Sequence, residues 1–250
     1  MLILLPPSET KRDGGDPDAR LDLAALSFPE LTKPRRAALA GLREVSRTLD
    51  GSMSALKLGP TQRFEIVRNR SIRVSPVMPA IERYTGVLYD ALDVATLGAS
   101  ARAFLTRHVV IHSALFGLAR ADDPLPAYRF SHDSRLAGTS LSRLWREANA
   151  TVLAAHDGLI LDLRSESYVH LGPAPDHGVF LRVVTEGDDG ARRALNHFNK
   201  HGKGDLVRRL AEHGEDFATV DGLVDWARGS GIRLEPGATD SASRELVLVV

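Results

Sequence analysis

Between Pro79 and Arg146 the chain opens with PAIERYTGVLYDAL (79–92), runs through HVVIHSALFGLARADDPLPAYRFSHDSRL (108–136) and closes on LSRLWRE from Leu141. Val109 to Leu118 is a short apolar run, β-branched at its start and stopped by Gly117. A run of that kind predicts a buried strand leading into a turn. The chain then turns polar and irregular, with Asp122, Asp123, Pro124 and Pro126 before Tyr128, Arg129, His132, Asp133 and Arg135. Charge-dense loops after buried strands are where α/β proteins keep their chemistry. This is the most site-like stretch of the chain.

The same design occurs twice more. Leu2–Leu5 reads as a buried strand ended by Pro6-Pro7 and followed by Ser8, Glu9, Thr10 and Lys11. Leu159–Leu163 reads as another, followed by Arg164, Ser165, Glu166, Ser167 and Tyr168. Helical spacing covers Ala37–Leu49, Ala101–Thr106, Leu141–His156, Leu206–His213 and Asp221–Arg228. A further helix, Pro79–Leu92, is interrupted at Tyr84-Thr85-Gly86, with Arg83 beside the break. Val179–Val184 and Arg192–Phe198 read as a hairpin across Glu186–Gly190, and Glu245–Val250 as a last strand. These elements predict an α+β fold: one compact domain over residues 1–250, a mixed β-sheet core wrapped by helices.

Composition sets bounds. The chain has 250 residues, with Lys+Arg and Asp+Glu equal at 32 each, so overall charge points to neither nucleic acid nor membrane. The absence of cysteine rules out disulfides, a thiolate nucleophile and direct thiol sensing. The opening MLILLPPSETK holds too few apolar residues for a signal peptide or a membrane span, so a cytoplasmic protein is expected.

Charge is nevertheless uneven. Residues 31–75 hold ten basic residues against three acidic ones, enough to grip phosphates locally. Leu56-Lys57-Leu58-Gly59-Pro60-Thr61 before a helix is similar to a helix-hairpin-helix, whose hairpin amides face a phosphate. The competing reading is a solvated basic face. Asn199-Lys200-His201-Gly202-Lys203-Gly204-Asp205 before a helix offers lysines, glycines and a helix dipole, an anion site through Lys200, Lys203 and Gly204. It lacks Walker A spacing.

Other chemistry is set aside. His197 and His201 have metal-ligand spacing without a third ligand, so neither a metal nor a cofactor is expected. His112 and Ser113 are neighbours on a strand, point to opposite faces and carry no GxSxG. His132-Asp133 is a candidate acid/base pair, and no GxGxxG follows the first strand.

The opening strand with PPSETK, PAIERYTGVLYDAL, HSALFGLARADDPLPAYRFSHDSRL, LDLRSESYVHL and NKHGKGDLVRRL occur in this order in the YaaA family, also called UPF0246, of peroxide-stress proteins. The chain resembles an actinobacterial-type member along essentially its whole length. It departs from members that read S-P-A-K in the first loop and S-G-L-Y-G-V-L-R-P in the central block. The resemblance implies a cytoplasmic protein tied to lower free iron under hydrogen peroxide and to DNA binding through a helix-hairpin-helix-like element. Residues 31–75 would carry that element, with Lys57, Arg63, Arg68, Arg70 and Arg73 as phosphate contacts inferred from charge.

Two function classes follow. One is a DNA-binding stress protein whose partner is double-stranded or branched DNA. The other is an enzyme for a small phosphorylated or nucleotide-like substrate. Its candidate residues are Ser8, Glu9, Lys11, Arg83, Tyr84, Tyr128, Arg129, Ser165 and Tyr168, gathered where strands end.

Overall fold

A computed structural model describes residues 1–187, 192–194, 198–237 and 244–250. Its strands are β1 (Leu2–Leu5), β2 (Val77–Pro79), β3 (Val109–Ser113), β4 (Gly117–Arg120), β5 (Pro124–Pro126), β6 (Ile160–Asp162), β7 (Gly178–Glu186), β8 (Arg192–Ala194), β9 (Leu234–Pro236) and β10 (Arg244–Val249). Its helices are α1 (Thr32–Val45), α2 (Leu49–Ala55), α3 (Phe64–Arg70), α4 (Ala80–Arg83), α5 (Val87–Leu92), α6 (Ala99–His108), α7 (Leu141–Ala154), α8 (Glu166–His170), α9 (Phe198–His213) and α10 (Val220–Gly229).

The main sheet runs β4-β3-β1-β6-β7-β10-β9, with β8 pairing onto β7. The five inner strands are parallel, and β4 and β9 close the two ends antiparallel. Every residue of β1 and β3 is buried, as expected where both faces of a parallel sheet are covered. Ile3 lies opposite Val109 on one side and Leu161 on the other, so β1 is the centre of the core. The expected single domain with a mixed sheet wrapped by helices is the fold observed.

The apolar run Val109–Leu118 divides into two strands. Ser113 Oγ accepts from the backbone N–H of Leu115 and Phe116, both at 3.1 Å, and turns the chain. Gly117 completes the turn at φ 67°, with no room for a Cβ beside Trp145 and Asn149. Trp145 fills the space behind it, fully buried, its indole N–H donating to the Ala114 carbonyl at 2.8 Å.

The segment read as a glycine-rich loop before a helix is helical. Helix α9 starts at Phe198, so Lys200, Lys203 and Gly204 lie on its first turns. Its glycines serve packing: a Cβ on Gly204 would overlap the backbone carbonyl of Leu88 in α5, and one on Gly202 would press on Val250. Gly204→Val is expected to lower stability in urea unfolding by ~1–3 kcal/mol or more, because backbone on backbone cannot yield as a side chain can. Of the expected hairpin, β8 is seen as far as Ala194, residues 195–197, with His197, lie outside the described residues, and Phe198 begins α9 instead of ending a strand. Among the described residues no helix is long and apolar enough to cross a membrane.

Candidate functional site

After β1 the chain moves to β3 on one side, whereas after β6 it moves to β7 on the other. The C-terminal ends of these adjacent parallel strands therefore part company, which is where open α/β sheets leave a ligand crevice. A cleft of about 680 Å³ opens there. Its lining includes Ser8, Glu9 and Thr10 after β1, Ser165, Glu166, Ser167 and Tyr168 after β6, and Phe130, Ser131 and His132 from the central loop. Phe180 and Arg182 of β7 and Lys200 and Lys203 of α9 complete it. The three strand-end segments singled out in the sequence meet in one place.

Beneath the β1 loop lies a buried network. Lys11 is 6% exposed, and its Nζ donates to the carbonyls of Ser8 at 2.9 Å and Glu9 at 3.2 Å. It sits 4.1 Å from the centre of the Tyr128 ring and 5.3 Å from that of Tyr84. Burial, and then the nearby Arg129 charge, bring its pKa down to about 7. Ser113 Oγ lies 2.6 Å from the Tyr128 hydroxyl, which lies 2.7 Å from that of Tyr84. With two backbone N–H groups already donating to its Oγ, Ser113 gives its own proton to Tyr128, so the chain of hydroxyls runs toward Tyr84. Arg129 reaches forward to pair with Glu9 at the cleft. Lys11, Tyr84, Tyr128 and Arg129 thus support the loop from behind, and Ser8, Glu9, Ser165 and Tyr168 face the cleft.

Arg83 does something else. It is fully buried, and its guanidinium donates to the carbonyls of Leu125, Arg12, Gly14 and Pro76, tying the 11–16 segment to the small sheet of β2 and β5. It is not a lining residue of the cleft.

The β6 loop is fixed by Arg164, which has no exposed side-chain surface. Its Nε donates to Asp162 Oδ1 at 2.8 Å and its second amino group to Oδ2 at 2.6 Å, a two-pronged pair. Its remaining amino group donates to the Gly172 carbonyl and to His112 Nδ1, both at 2.8 Å. His112 is held neutral by burial and then by the Arg164 charge, and its Nε2 lies 2.9 Å from the Asn149 side-chain nitrogen. His112 and Ser113 do point to opposite faces, into separate networks.

Of the far wall, Lys200 and Lys203 were singled out in the sequence as an anion site, and Phe180 and Arg182 were missed. Phe180 and Arg182 alternate on one strand face and look like an ordinary half-buried pattern, so nothing local marks them. Lys203, 6% exposed, stands beside the Phe180 ring at 5.6 Å, and burial brings its pKa down to about 8. Lys200 is exposed at the rim.

The family model described as peroxide stress protein YaaA matches residues 1–235. The chain belongs to the YaaA family. A UPF0246 protein of Corynebacterium efficiens is 42% identical, covering 100% of both chains. One of Corynebacterium glutamicum is 39% identical over 99% of this chain and 100% of its own, and one of Streptomyces coelicolor is 38% identical over 98% and 95%.

In this YaaA protein the basic segment is less open than its sequence implies. Arg35 is buried against four carbonyls. Lys57 pairs with Asp133 at 3.1 Å, Arg68 with Asp13 at 2.7 Å and Glu65 at 2.9 Å, and Arg70 donates to the carbonyls of Ser46 and Arg47. Arg63 and Arg73 are exposed. Helices α2 and α3 flank a connection around Gly59. Its amides bond inward, Leu58 to the Met53 carbonyl and Gly59 to the Gln62 side chain, so they do not stand ready for a phosphate. Among the described residues no three His, Cys, Asp or Glu side chains gather in a way that would hold a metal.

Proposed function

We propose that this YaaA-family protein binds and transforms a small phosphorylated or nucleotide-like molecule in the cleft between the ends of β1 and β6. The observation that carries this reading is the convergence of three strand-end loops on one concave site where the sheet's connections diverge. Lys200 and Lys203 supply positive charge there, Arg182 is paired with Glu245, serine hydroxyls supply hydrogen bonds, and Glu166 and His132 supply titratable groups. A surface that only followed a DNA backbone would need none of that enclosure.

Binding of double-stranded or branched DNA, with protection against iron-linked oxidative damage, is the second reading. The exposed Arg63 and Arg73, in the same segment as the protruding Phe64 and Val67, favour it. The two readings separate in one pair of titrations. Ribose 5-phosphate and AMP at about a hundred times their dissociation constants should stabilise the fold by ~2.7 kcal/mol in thermal unfolding, and Lys200→Glu should weaken this at least tenfold. DNA should bind with an affinity that falls steeply with salt and is lost on reversing Arg63 and Arg73. Stabilisation by phosphates without salt-sensitive DNA binding selects the cleft, and the converse selects the basic face.

A further inference from the structure

Lys203 is a buried amine without an ion-pair partner among the described residues. Among the described residues no carboxylate comes within 4 Å of its Nζ, and no hydrogen bond holds it. The carboxylate that bears on it, Asp162, is already engaged by Arg164 through three hydrogen bonds. Buried charges in proteins are normally paired, so this amine is built either to meet a ligand's charge or to lose its own. Residue choice separates the two. Only five of the chain's 32 basic residues are lysine: Lys11, Lys33, Lys57, Lys200 and Lys203. Arginine grips phosphate and carboxylate better through its fork and dominates everywhere else, but its guanidinium does not give up its proton. An amine beside an apolar ring and a second cation is the environment that makes a lysine nucleophilic.

We propose that Lys203 is the nucleophile of the cleft, forming an imine with an aldehyde or ketone that also carries a phosphate or carboxylate. The proposal rests on the cleft being a small-molecule site, as above. Lys200 would take the anionic group beside Arg182, which is already paired with Glu245 at 2.7 Å, and Phe180 shields the forming bond. In the step, the Nζ lone pair attacks the carbonyl carbon and the C=O π pair moves to oxygen. The carbinolamine oxygen takes up a proton and leaves as water while nitrogen forms the C=N bond. One ammonium and one carbonyl thus give one protonated imine and one water, with no redox partner. Glu166 and His132 line the same cleft and can carry the protons.

The test uses the full chain and two probes, pyridoxal 5′-phosphate and glyoxylate, each trapped with borohydride and mapped by peptide mass. Lys203 should be labelled about tenfold or more faster than the exposed Lys33 and Lys57, because more of it is neutral at pH 7. Its labelling should be half-maximal near pH 8, set by burial with Asp162 and Arg182 nearby, while Lys200 and Glu166 line the same cleft. Lys203→Arg should abolish that product and Lys200→Arg should keep it. Mapping in the unmutated chain makes the result independent of whether either variant folds. Labelling of Lys203 no faster than Lys33 overturns the proposal. Pyridoxine 5′-phosphate, which has no aldehyde, tells the two failures apart. If it binds in the cleft while Lys203 stays unlabelled, the imine fails and the site stands; if it does not bind either, both fail.

Discussion

Arg164→Leu is expected to lower the stability of the fold by ~3–5 kcal/mol in urea unfolding, the loss typical when one partner of a buried ion pair is removed. The cost arises from what is left behind. Asp162 is 4% exposed at its side chain, and without Arg164 its carboxylate keeps its charge in the interior with little to balance it. The Gly172 carbonyl and His112 Nδ1 each lose a donor as well. The double variant Asp162→Asn/Arg164→Leu should be less damaged than the sum of the single changes, by ~1–3 kcal/mol of coupling. If the single change costs under 1 kcal/mol, water must be reaching Asp162 and the pair is not the clamp described. The local consequence matters more for function. Arg164 bonds across the turn from β6 to Gly172, so it sets the position of Ser165, Glu166 and Tyr168 at the cleft. Ligand stabilisation should therefore disappear in this variant even at temperatures where the chain remains folded.

The strands were legible because buried parallel strands leave runs such as LILL and LILDL that tolerate little but apolar residues, and the polar residues following them stand out. The cleft could be anticipated for the same reason, since neighbouring parallel strands deliver their loops to one edge. What the sequence hid depends on tertiary partners. Arg35, Arg83 and Arg164 are among the largest fully buried side chains, yet in a sequence each counts as surface charge. Arg35 and Arg83 spend their donors on carbonyls, and that need arises only once loops from distant parts of the chain come together. The excess in residues 31–75 was inflated by such a residue and by pairs with Asp13 and Asp133, which lie far away in sequence. Strands β2 and β5 are three residues long with proline in each, so no alternation announces them. Lysine and glycine in the first turns of α9 suggested a loop, and the close approach to α5 is what makes glycine favourable inside that helix.

The stability of the wild-type protein should rise with pH between about 7 and 10, and Lys11→Met should flatten most of that rise. The folded pKa of Lys11 is about 7, against 10.5 when the residue is free in solvent. Below pH 7 both folded and unfolded chains carry the proton, and this group adds no slope. Between the two values the unfolded chain holds more protons than the folded one, so stability increases with pH, by on the order of 3 kcal/mol across the window. Lys203, brought down to about 8, adds a smaller rise in the same direction, and that part survives in Lys11→Met. Above pH 10 the trend reverses. Burial raises the phenols of Tyr84, Tyr128 and Tyr168, so the folded state keeps protons that the unfolded chain gives up. Two forces compete at Lys11. Burial favours the neutral amine, whereas the Ser8 and Glu9 carbonyls and the face of Tyr128 favour the ammonium. Parallel stability curves for the two proteins from pH 6 to 10 would mean that the carbonyls and the ring win, and that the loop bearing Ser8 and Glu9 rests on a permanent charge. A wild-type curve that rises away from Lys11→Met would mean that the loop is held by an amine that changes charge within the physiological range, just behind the residues that face the cleft.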